Sequence, residues 1–225
     1  MKNIEVSIPV GSVVLEGLLR VPAGARCLVI FCHGSGSSRH SKRNQFVANN
    51  LSGRGLATLL FDLLTSDEEE VDAVSRHLRF DIPMLAERVR ESVLWAASIP
   101  EIRSHRIGLF GASTGAAAAL VAAANLPHIV NAVVSRGGRP DLADDALSRV
   151  RAPTLLIVGG ADEEVLELNR LAVARMKHAV TKLEIVSGAT HLFEEEGALE
   201  KVAVLAGDWL ERYASDNAEK RVGHK

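Results

Sequence analysis

Short apolar runs alternate with amphipathic segments along most of the chain. Most of these runs lack polar alternation, which is typical of strands covered on both faces of a parallel sheet. Between them, apolar residues recur at helical spacing. Strands that alternate with helices predict an α/β fold with a doubly wound, mainly parallel sheet. We predict strands at 27–32, 56–61, 107–110, 129–135, 153–158 and 182–186, of which the last is short and contains both polar and apolar residues.

The first residues follow a different pattern. Residues 3–9 and 12–21 predict two strands joined by a turn at Gly11-Ser12, and such a pair is expected to form an antiparallel edge of the sheet. The acidic run at 66–70 is interpreted as a solvated loop or a helix start rather than a cation site, because nothing nearby has metal-ligand spacing. Helices are predicted after the glycine-rich loop at 34–36, at 81–98, after Ser113, at 163–178 and at 197–213.

A single domain is predicted over residues 1–214, followed by a polar tail at 215–225. We find no internal repeat, linker or second domain. Only a short connection fits between Ser135 and Ala152, so no cap domain is expected and the site should be open. With 225 residues, 47% of them hydrophobic, the chain can bury a core without metals or disulfides.

Charge and composition exclude several function classes. The formal net charge is −2 and both signs are interspersed, so no basic stripe predicts nucleic-acid binding. No apolar run has the length of a membrane span, and the first residues do not resemble a secretory signal. Cys27 and Cys32 lie at odd spacing on one predicted strand, so they face opposite sides and cannot pair. Free thiols fit a cytoplasmic protein. We expect no metal or other cofactor, and the choice between monomer and homodimer stays open.

The most informative stretch is residues 106–125, RIGLFGASTGAAAALVAAAN. It predicts a buried strand, a sharp turn and an alanine-rich helix, which is the setting in which G-x-S-x-G holds a nucleophilic serine, here Ser113. Only very small side chains fit at Gly111 and Gly115, where strand and helix approach each other. By itself, the pentapeptide is a common sequence that would also fit a simple helix cap.

Two further residues supply the partners that a nucleophilic serine needs. His191 follows the last predicted strand and Asp162 follows the strand before it. Since ligands bind beyond the carboxyl ends of parallel strands, both should lie near Ser113, with His191 as base and Asp162 orienting it. Their order along the chain is that of the α/β-hydrolases. The alternatives are a surface loop histidine and a helix N-cap, and the cap role is compatible with the catalytic one.

The remaining candidates surround this trio. Backbone N–H groups of Thr114 and Ser35 are predicted to form the oxyanion hole. His33 is a candidate substrate-binding residue that we expect to brace its loop rather than to transfer protons. Arg136, just beyond a strand end, either meets an anionic substrate group or forms an ion pair with an aspartate of the following segment, Asp141 or Asp144.

Four segments, IFCHGSGSS, GLFGASTGAAAAL, PTLLIVGGADEEV and SGATHLFEE, together resemble the α/β-hydrolase superfamily, in particular its dienelactone-hydrolase-like branch. The resemblance implies an eight-stranded sheet, a Ser113–Asp162–His191 triad, an oxyanion hole at Ser35 and Thr114, and hydrolysis of acyl esters or related carbonyl compounds. Dienelactone hydrolase proper has a cysteine nucleophile, whereas relatives with serine resemble general carboxylesterases.

These observations predict a serine hydrolase that cleaves small carboxylic esters through an acyl-enzyme at Ser113. Its partner would be a small-molecule ester, with no nucleic acid or membrane involved. The same triad would also serve acyl transfer or thioester cleavage, because the acceptor is not encoded in the triad. A non-catalytic binding protein on the same fold is the third hypothesis, and a broken triad would mark it.

Overall fold

The computed structural model describes residues 4–100, 102 and 105–214. Residue 3 of the first predicted strand and the predicted tail at 215–225 lie outside these residues. The described strands are β1 (Ile4–Val10), β2 (Val13–Arg20), β3 (Cys27–Cys32), β4 (Ala57–Phe61), β5 (Arg106–Ala112), β6 (Val130–Arg136), β7 (Thr154–Gly159) and β8 (Thr181–Val186).

All eight strands form one sheet in the order β1-β2-β4-β3-β5-β6-β7-β8. β1 pairs antiparallel with β2, and β2 pairs antiparallel with β4, which confirms the predicted antiparallel edge. From β4 to β8, every neighbouring pair is parallel. The chain therefore delivers the carboxyl ends of six strands to one edge of the sheet.

Helices cover both faces of this sheet, as the uniformly apolar strands predict. Their bounds are α1 (Lys42–Gly53), α2 (Ser66–Ser75), α3 (Ile82–Ser98), α4 (Thr114–Asn125), α5 (Glu163–Arg175) and α6 (Ala198–Tyr213), with 3₁₀ segments at Leu78–Phe80 and Pro140–Arg149. α1 and α6 pack together on one face, while α3, α4 and α5 lie on the other. In the described residues, no helix is long and apolar enough to cross a membrane.

β3 shows how one strand contributes to both halves of the core. All six of its residues are buried. Leu28, Ile30 and Cys32 belong to the core beneath α3 and α4, whereas Cys27 packs with α1 and α6. Both cysteines are free and lie on opposite faces, as their spacing predicts.

The segment between β4 and α3 is more ordered than its irregular sequence indicates. The acidic run begins α2, where Thr65 and Glu68 form a reciprocal capping box at the helix N-terminus. Glu68 also makes a bidentate ion pair with the buried Arg88 of α3. The acidic run therefore starts a helix, which is one of the alternatives given by the sequence. The charge of Glu68 is paired with Arg88 within the protein. The predicted N-cap of α3 is also present, since the Asp81 side chain accepts a hydrogen bond from the Met84 N–H.

Candidate active site

Ser113 lies at the turn between β5 and α4 in a strained backbone conformation, with φ 50° and ψ −123°. A non-glycine residue rarely adopts this region, and functional sites are where such strain concentrates. The flanking glycines allow the turn to close. A Cβ on Gly115 would lie 2.3 Å from the carbonyl oxygens of Cys32 and His33, and one on Gly111 would lie 2.4 Å from the Cα of Ala116.

His191 lies between Ser113 and Asp162. Its Nε2 is 3.3 Å from the Ser113 Oγ, and its Nδ1 is 2.7 Å from the Asp162 Oδ2. The His191 side chain is 38% exposed and that of Asp162 is 16% exposed. Asp162 occupies the N-cap position of α5, but its side chain does not cap that helix. Its carboxylate is directed to the imidazole instead.

The loops that carry Asp162 and His191 are bonded to each other. The Ala161 N–H donates to the Ala189 carbonyl over 2.9 Å, so the acid and the base cannot move apart freely. On the histidine side, the Glu195 carboxylate accepts from the Thr190 N–H at 3.0 Å and from its hydroxyl at 2.5 Å. The Thr190 hydroxyl holds the pKa of Glu195 below its usual range.

The predicted oxyanion donors lie side by side, but one of them is already engaged. Thr114 is the first residue of α4, and its N–H has no acceptor among the described residues, as expected at a helix N-terminus. The Ser35 N–H instead donates to the Thr114 Oγ1 over 2.9 Å. The structure therefore brings Ser35 and Thr114 together through the Thr114 side chain. The G-x-S-x-G motif concerns the backbone N–H of Thr114 and does not predict this contact.

His33 follows β3 at the same edge, yet both of its ring nitrogens are used inside the protein. Nδ1 donates to the Gly34 carbonyl at 2.9 Å, and Nε2 accepts from the Leu63 N–H at 2.9 Å. The residue is only 6% exposed, and burial lowers the pKa of its imidazole below the ordinary 6.5. A neutral ring with two backbone partners braces its loop and has no nitrogen left for a substrate.

Arg136 is buried without an acidic partner among the described residues, so the ion pair considered from the sequence is wrong. Asp141 pairs with Arg139 at 2.7 Å, and Asp144 pairs with Arg175 at 3.2 Å. Arg139, just before the segment that carries both aspartates, and Arg175 of α5 therefore take the place that Arg136 was expected to fill.

The surroundings of the Arg136 guanidinium are largely uncharged or positive. Nη2 lies 3.4 Å from the Asn44 Oδ1, and Nε has no hydrogen-bond partner in the part of the chain that the structure describes. The guanidinium carbon is 6.0 Å from the centroid of the Phe193 ring. Burial, together with the positive charge of Arg43, lowers the pKa of Arg136 to about 10. A guanidinium in this range stays protonated at neutral pH, so the buried charge is uncompensated.

A cavity of about 530 Å³ opens beside the two oxyanion candidates. It is bounded by the loop after β3, the start of α1 and the segment between β4 and α3. Local sequence patterns do not predict it, because its walls combine residues between 33 and 43, residues between 63 and 85, and Thr114. Besides Gly34, Ser35 and Thr114, its lining includes basic Lys42, Arg43 and Arg79, acidic Glu69 and Asp72, and apolar Leu63, Leu64 and Leu85.

Comparison with known proteins gives the family of the chain. Residues 15–220 match the model of the dienelactone hydrolase family. The chain belongs to the dienelactone hydrolase family. A dienelactone hydrolase from Anabaena variabilis has 53% sequence identity to it and a TM-score of 0.93, covering 95% of this chain and 98% of that one.

More distant structures share the α/β-hydrolase fold. A Xanthomonas campestris protein described as an α/β serine hydrolase without a lid has 19% identity and a TM-score of 0.73, with 94% of each chain covered. An esterase from Pyrococcus furiosus has 19% identity and a TM-score of 0.75, covering 95% of this chain and 92% of that one. At these identities the likeness concerns the fold alone.

A longer relative occurs in Mycobacterium tuberculosis H37Rv. It is provisionally named a phosphoribosyl transferase and is 56% identical over 210 residues. The match covers 93% of this chain but 46% of that protein. The chain therefore spans about half the length of the curated relatives that it matches.

The two cysteines do not offer an alternative nucleophile. Both are buried at opposite ends of β3. Burial raises the pKa of Cys27 to about 12 and raises that of Cys32 as well, so both thiols stay protonated and unreactive. The position between the two glycines at the turn after β5 is held by Ser113.

Proposed function

We propose that this chain is a serine hydrolase that cleaves small carboxylic esters through an acyl-enzyme at Ser113. The observation that carries the proposal is the position of His191, which lies within hydrogen-bond reach of the Ser113 hydroxyl on one side and of the Asp162 carboxylate on the other. A serine hydroxyl is a weak nucleophile without such a base. The 3.3 Å separation from the serine suits a resting site that tightens when substrate binds.

Each residue has a defined role in the proposed reaction. The Ser113 Oγ attacks the ester carbonyl carbon while its proton passes to the His191 Nε2, and the carbonyl π electrons move onto oxygen. The tetrahedral intermediate collapses, the C–O bond to the alcohol breaks, and His191 returns the proton to the departing alkoxide. Water then repeats the sequence on the acyl-enzyme, regenerating Ser113 and releasing the acid. Asp162 holds the imidazole in the tautomer that this requires.

Turnover of short activated esters tests the proposal directly. S113A removes the nucleophile and should reduce kcat by several orders of magnitude, while the unfolding temperature changes little. Ser92 provides a matched control, because its hydroxyl is buried in α3 without a hydrogen-bond partner. S92A should therefore keep normal kinetics. Near-normal turnover by S113A would overturn the proposal.

The chemistry of the cavity favours a small polar substrate over a long acyl chain. About 530 Å³ is enough for a compact molecule, and charged side chains are among those that line the cavity. We do not extend the transferase name of the longer relative to this chain, because the match covers 46% of that protein. A screen of p-nitrophenyl esters with increasing acyl chain length tests this preference, and we expect kcat/KM to fall for longer chains.

The cytoplasmic location also stays a prediction.

We also propose that the substrate carries an anionic group that is attracted by Arg136. The guanidinium is buried beside the site, has no carboxylate partner among the described residues and leaves its Nε unused. Leaving a charge uncompensated in the interior is costly. Arg43, which acts electrostatically on Arg136, also lines the cavity. Arg43 is already paired with Glu194 at 2.8 Å, so an anion bound there would compensate the charge of Arg136.

R136M, which keeps the length of the side chain, separates this role from a structural one. The expected result is a higher KM for esters of dicarboxylic acids and an unchanged KM for neutral esters. R139M provides the matched control, since Arg139 belongs to the same segment but is paired with Asp141. Equal effects of R136M on both ester classes would remove the anion-binding role.

A further inference from the structure

The side chain of Thr114 has a hydrogen-bonding capacity that the proposed reaction has not yet used. A hydroxyl has one proton to donate and two lone pairs to accept with. One lone pair of the Thr114 Oγ1 receives the Ser35 N–H at 2.9 Å. Among the described residues, the hydroxyl proton has no acceptor, although Thr114 is only 3% exposed. A buried donor without a partner normally carries a free-energy penalty.

The Thr114 hydroxyl lies close to the residue that carries the proposed reaction. Thr114 follows the nucleophile directly and begins α4, and its residue lines the cavity together with Ser35. Among the described residues, the backbone N–H of Thr114 also has no acceptor, and it points out of the helix N-terminus. Both donors therefore belong to the residue that directly follows Ser113, where the carbonyl oxygen of a bound substrate is expected to develop negative charge.

We propose that the Thr114 hydroxyl is a catalytic donor of the oxyanion hole, in the place usually taken by a backbone N–H from the loop after β3. This inference rests on the proposed function. The Ser35 N–H polarises the hydroxyl by donating to its oxygen, and the hydroxyl then donates to the oxyanion. A hydroxyl that accepts a hydrogen bond becomes a stronger donor, because bonds in a chain reinforce one another. Ser35 thus acts through Thr114 and is a positioning residue.

The competing interpretation makes the opposite prediction. If the Thr114 hydroxyl merely occupies the Ser35 N–H until substrate arrives, it has to turn aside during the reaction. In that case its removal would free the Ser35 N–H and leave the rate equal or higher. If the hydroxyl itself donates, its removal deletes one donor from the transition state.

T114V distinguishes the two, because valine matches the shape of threonine without a hydroxyl. Loss of an oxyanion donor predicts a decrease in kcat on the order of 100-fold for an activated ester, with KM changed little. T114S should restore most of this loss. Thr58 serves as the matched control, since it is buried in β4 and its hydroxyl pairs with Ser52; T58V should leave kcat unchanged. A normal or raised kcat in T114V would overturn the assignment.

A crystal structure of the wild-type protein with a phosphonate bonded to Ser113 gives an independent readout, even if T114V disturbs the loop. We expect the Thr114 Oγ1 within about 3 Å of the phosphonyl oxygen while the Ser35 N–H still donates to it. A Ser35 N–H directly on the phosphonyl oxygen, with the hydroxyl turned away, would contradict the inference. Activity in S113A would refute the proposed function itself, whereas an inactive S113A beside a fully active T114V overturns only the role of Thr114.

Discussion

His33 and His191 both follow a strand at the same edge of the sheet, but they have different partners. His33 is buried, and both of its nitrogens bind backbone groups. His191 is partly exposed, and its nitrogens meet two side chains, one carboxylate and one hydroxyl. The two residues therefore have similar positions in the fold. What distinguishes the structural histidine from the candidate base is the set of groups that bind its ring nitrogens.

The difference follows from general acid–base chemistry. A base has to release and accept a proton during turnover, so one nitrogen must face the reacting group and the other must be stabilised when the ring becomes charged. Asp162 provides that stabilisation for His191. His33 has only a carbonyl and an amide as partners, and burial lowers its pKa. Its neutral form is therefore favoured.

The largest expected effect comes from exchanging each histidine for a residue that cannot act as a base. H191A should reduce kcat on the order of 1,000-fold or more, with little loss of stability, because it removes the base from a partly exposed site. H33F should change kcat far less and stability more. Steady-state kinetics and thermal unfolding of both variants measure the contrast. If H33F abolished turnover in a folded protein while H191A retained it, the two roles would have to be exchanged.

A second prediction concerns the partner of His191. D162N keeps the shape of the side chain but removes the negative charge that fixes the imidazole tautomer, so kcat should fall about 100-fold to 10,000-fold. The neighbouring E163Q, at the start of α5, is the matched control and should stay near wild-type activity. Equal losses in both variants would indicate a general electrostatic effect of this helix start rather than a specific contact.

A third prediction concerns stability. H33F leaves the Leu63 N–H without its acceptor inside the protein, and an unsatisfied buried donor costs about 1–3 kcal/mol. Denaturant unfolding at neutral pH measures this decrease in the free energy of unfolding. Since phenylalanine leaves no cavity at this buried position, a loss near zero would mean that the bracing contacts of His33 do not stabilise its loop.

The smallest expected effect is a pH dependence of that difference. The pKa of His33 is lower in the folded protein than its ordinary 6.5, so below this pH the unfolded chain binds a proton that the folded protein does not. The stabilising contribution of neutral His33 is complete above the unfolded pKa and decreases as the pH falls, by at most about 1.4 kcal/mol per pH unit. Wild type and H33F should therefore converge in stability between about pH 7 and about pH 5. A constant gap would contradict the buried neutral ring.

The sequence predicts the sheet and the positions of the three central residues for identifiable reasons. Uniformly apolar strands indicate burial on both faces, and parallel strands bring their carboxyl ends to one edge. Ser113, Asp162 and His191 each follow such a strand, so local patterns suffice to bring them together. The strained turn at Ser113 is likewise implied by its flanking glycines.

Contacts between distant side chains are not encoded in local spacing. The Arg175–Asp144 pair joins residues 31 positions apart, and nothing in the sequence near Arg136 indicates it. The Ser35–Thr114 bond joins residues 79 positions apart, and no periodicity indicates it. These features depend on the depth and packing of individual side chains, which become defined only when the two faces of the sheet are covered.

Labelling with a fluorophosphonate tests the central claim most directly, because such reagents react with a serine only when its hydroxyl has been activated by a base. Intact-mass analysis and peptide mapping should find one adduct per chain, on Ser113, formed rapidly in wild type and H33F and far more slowly in H191A. An adduct on another residue, or equal labelling rates in H191A and wild type, would contradict the Ser113–His191–Asp162 account.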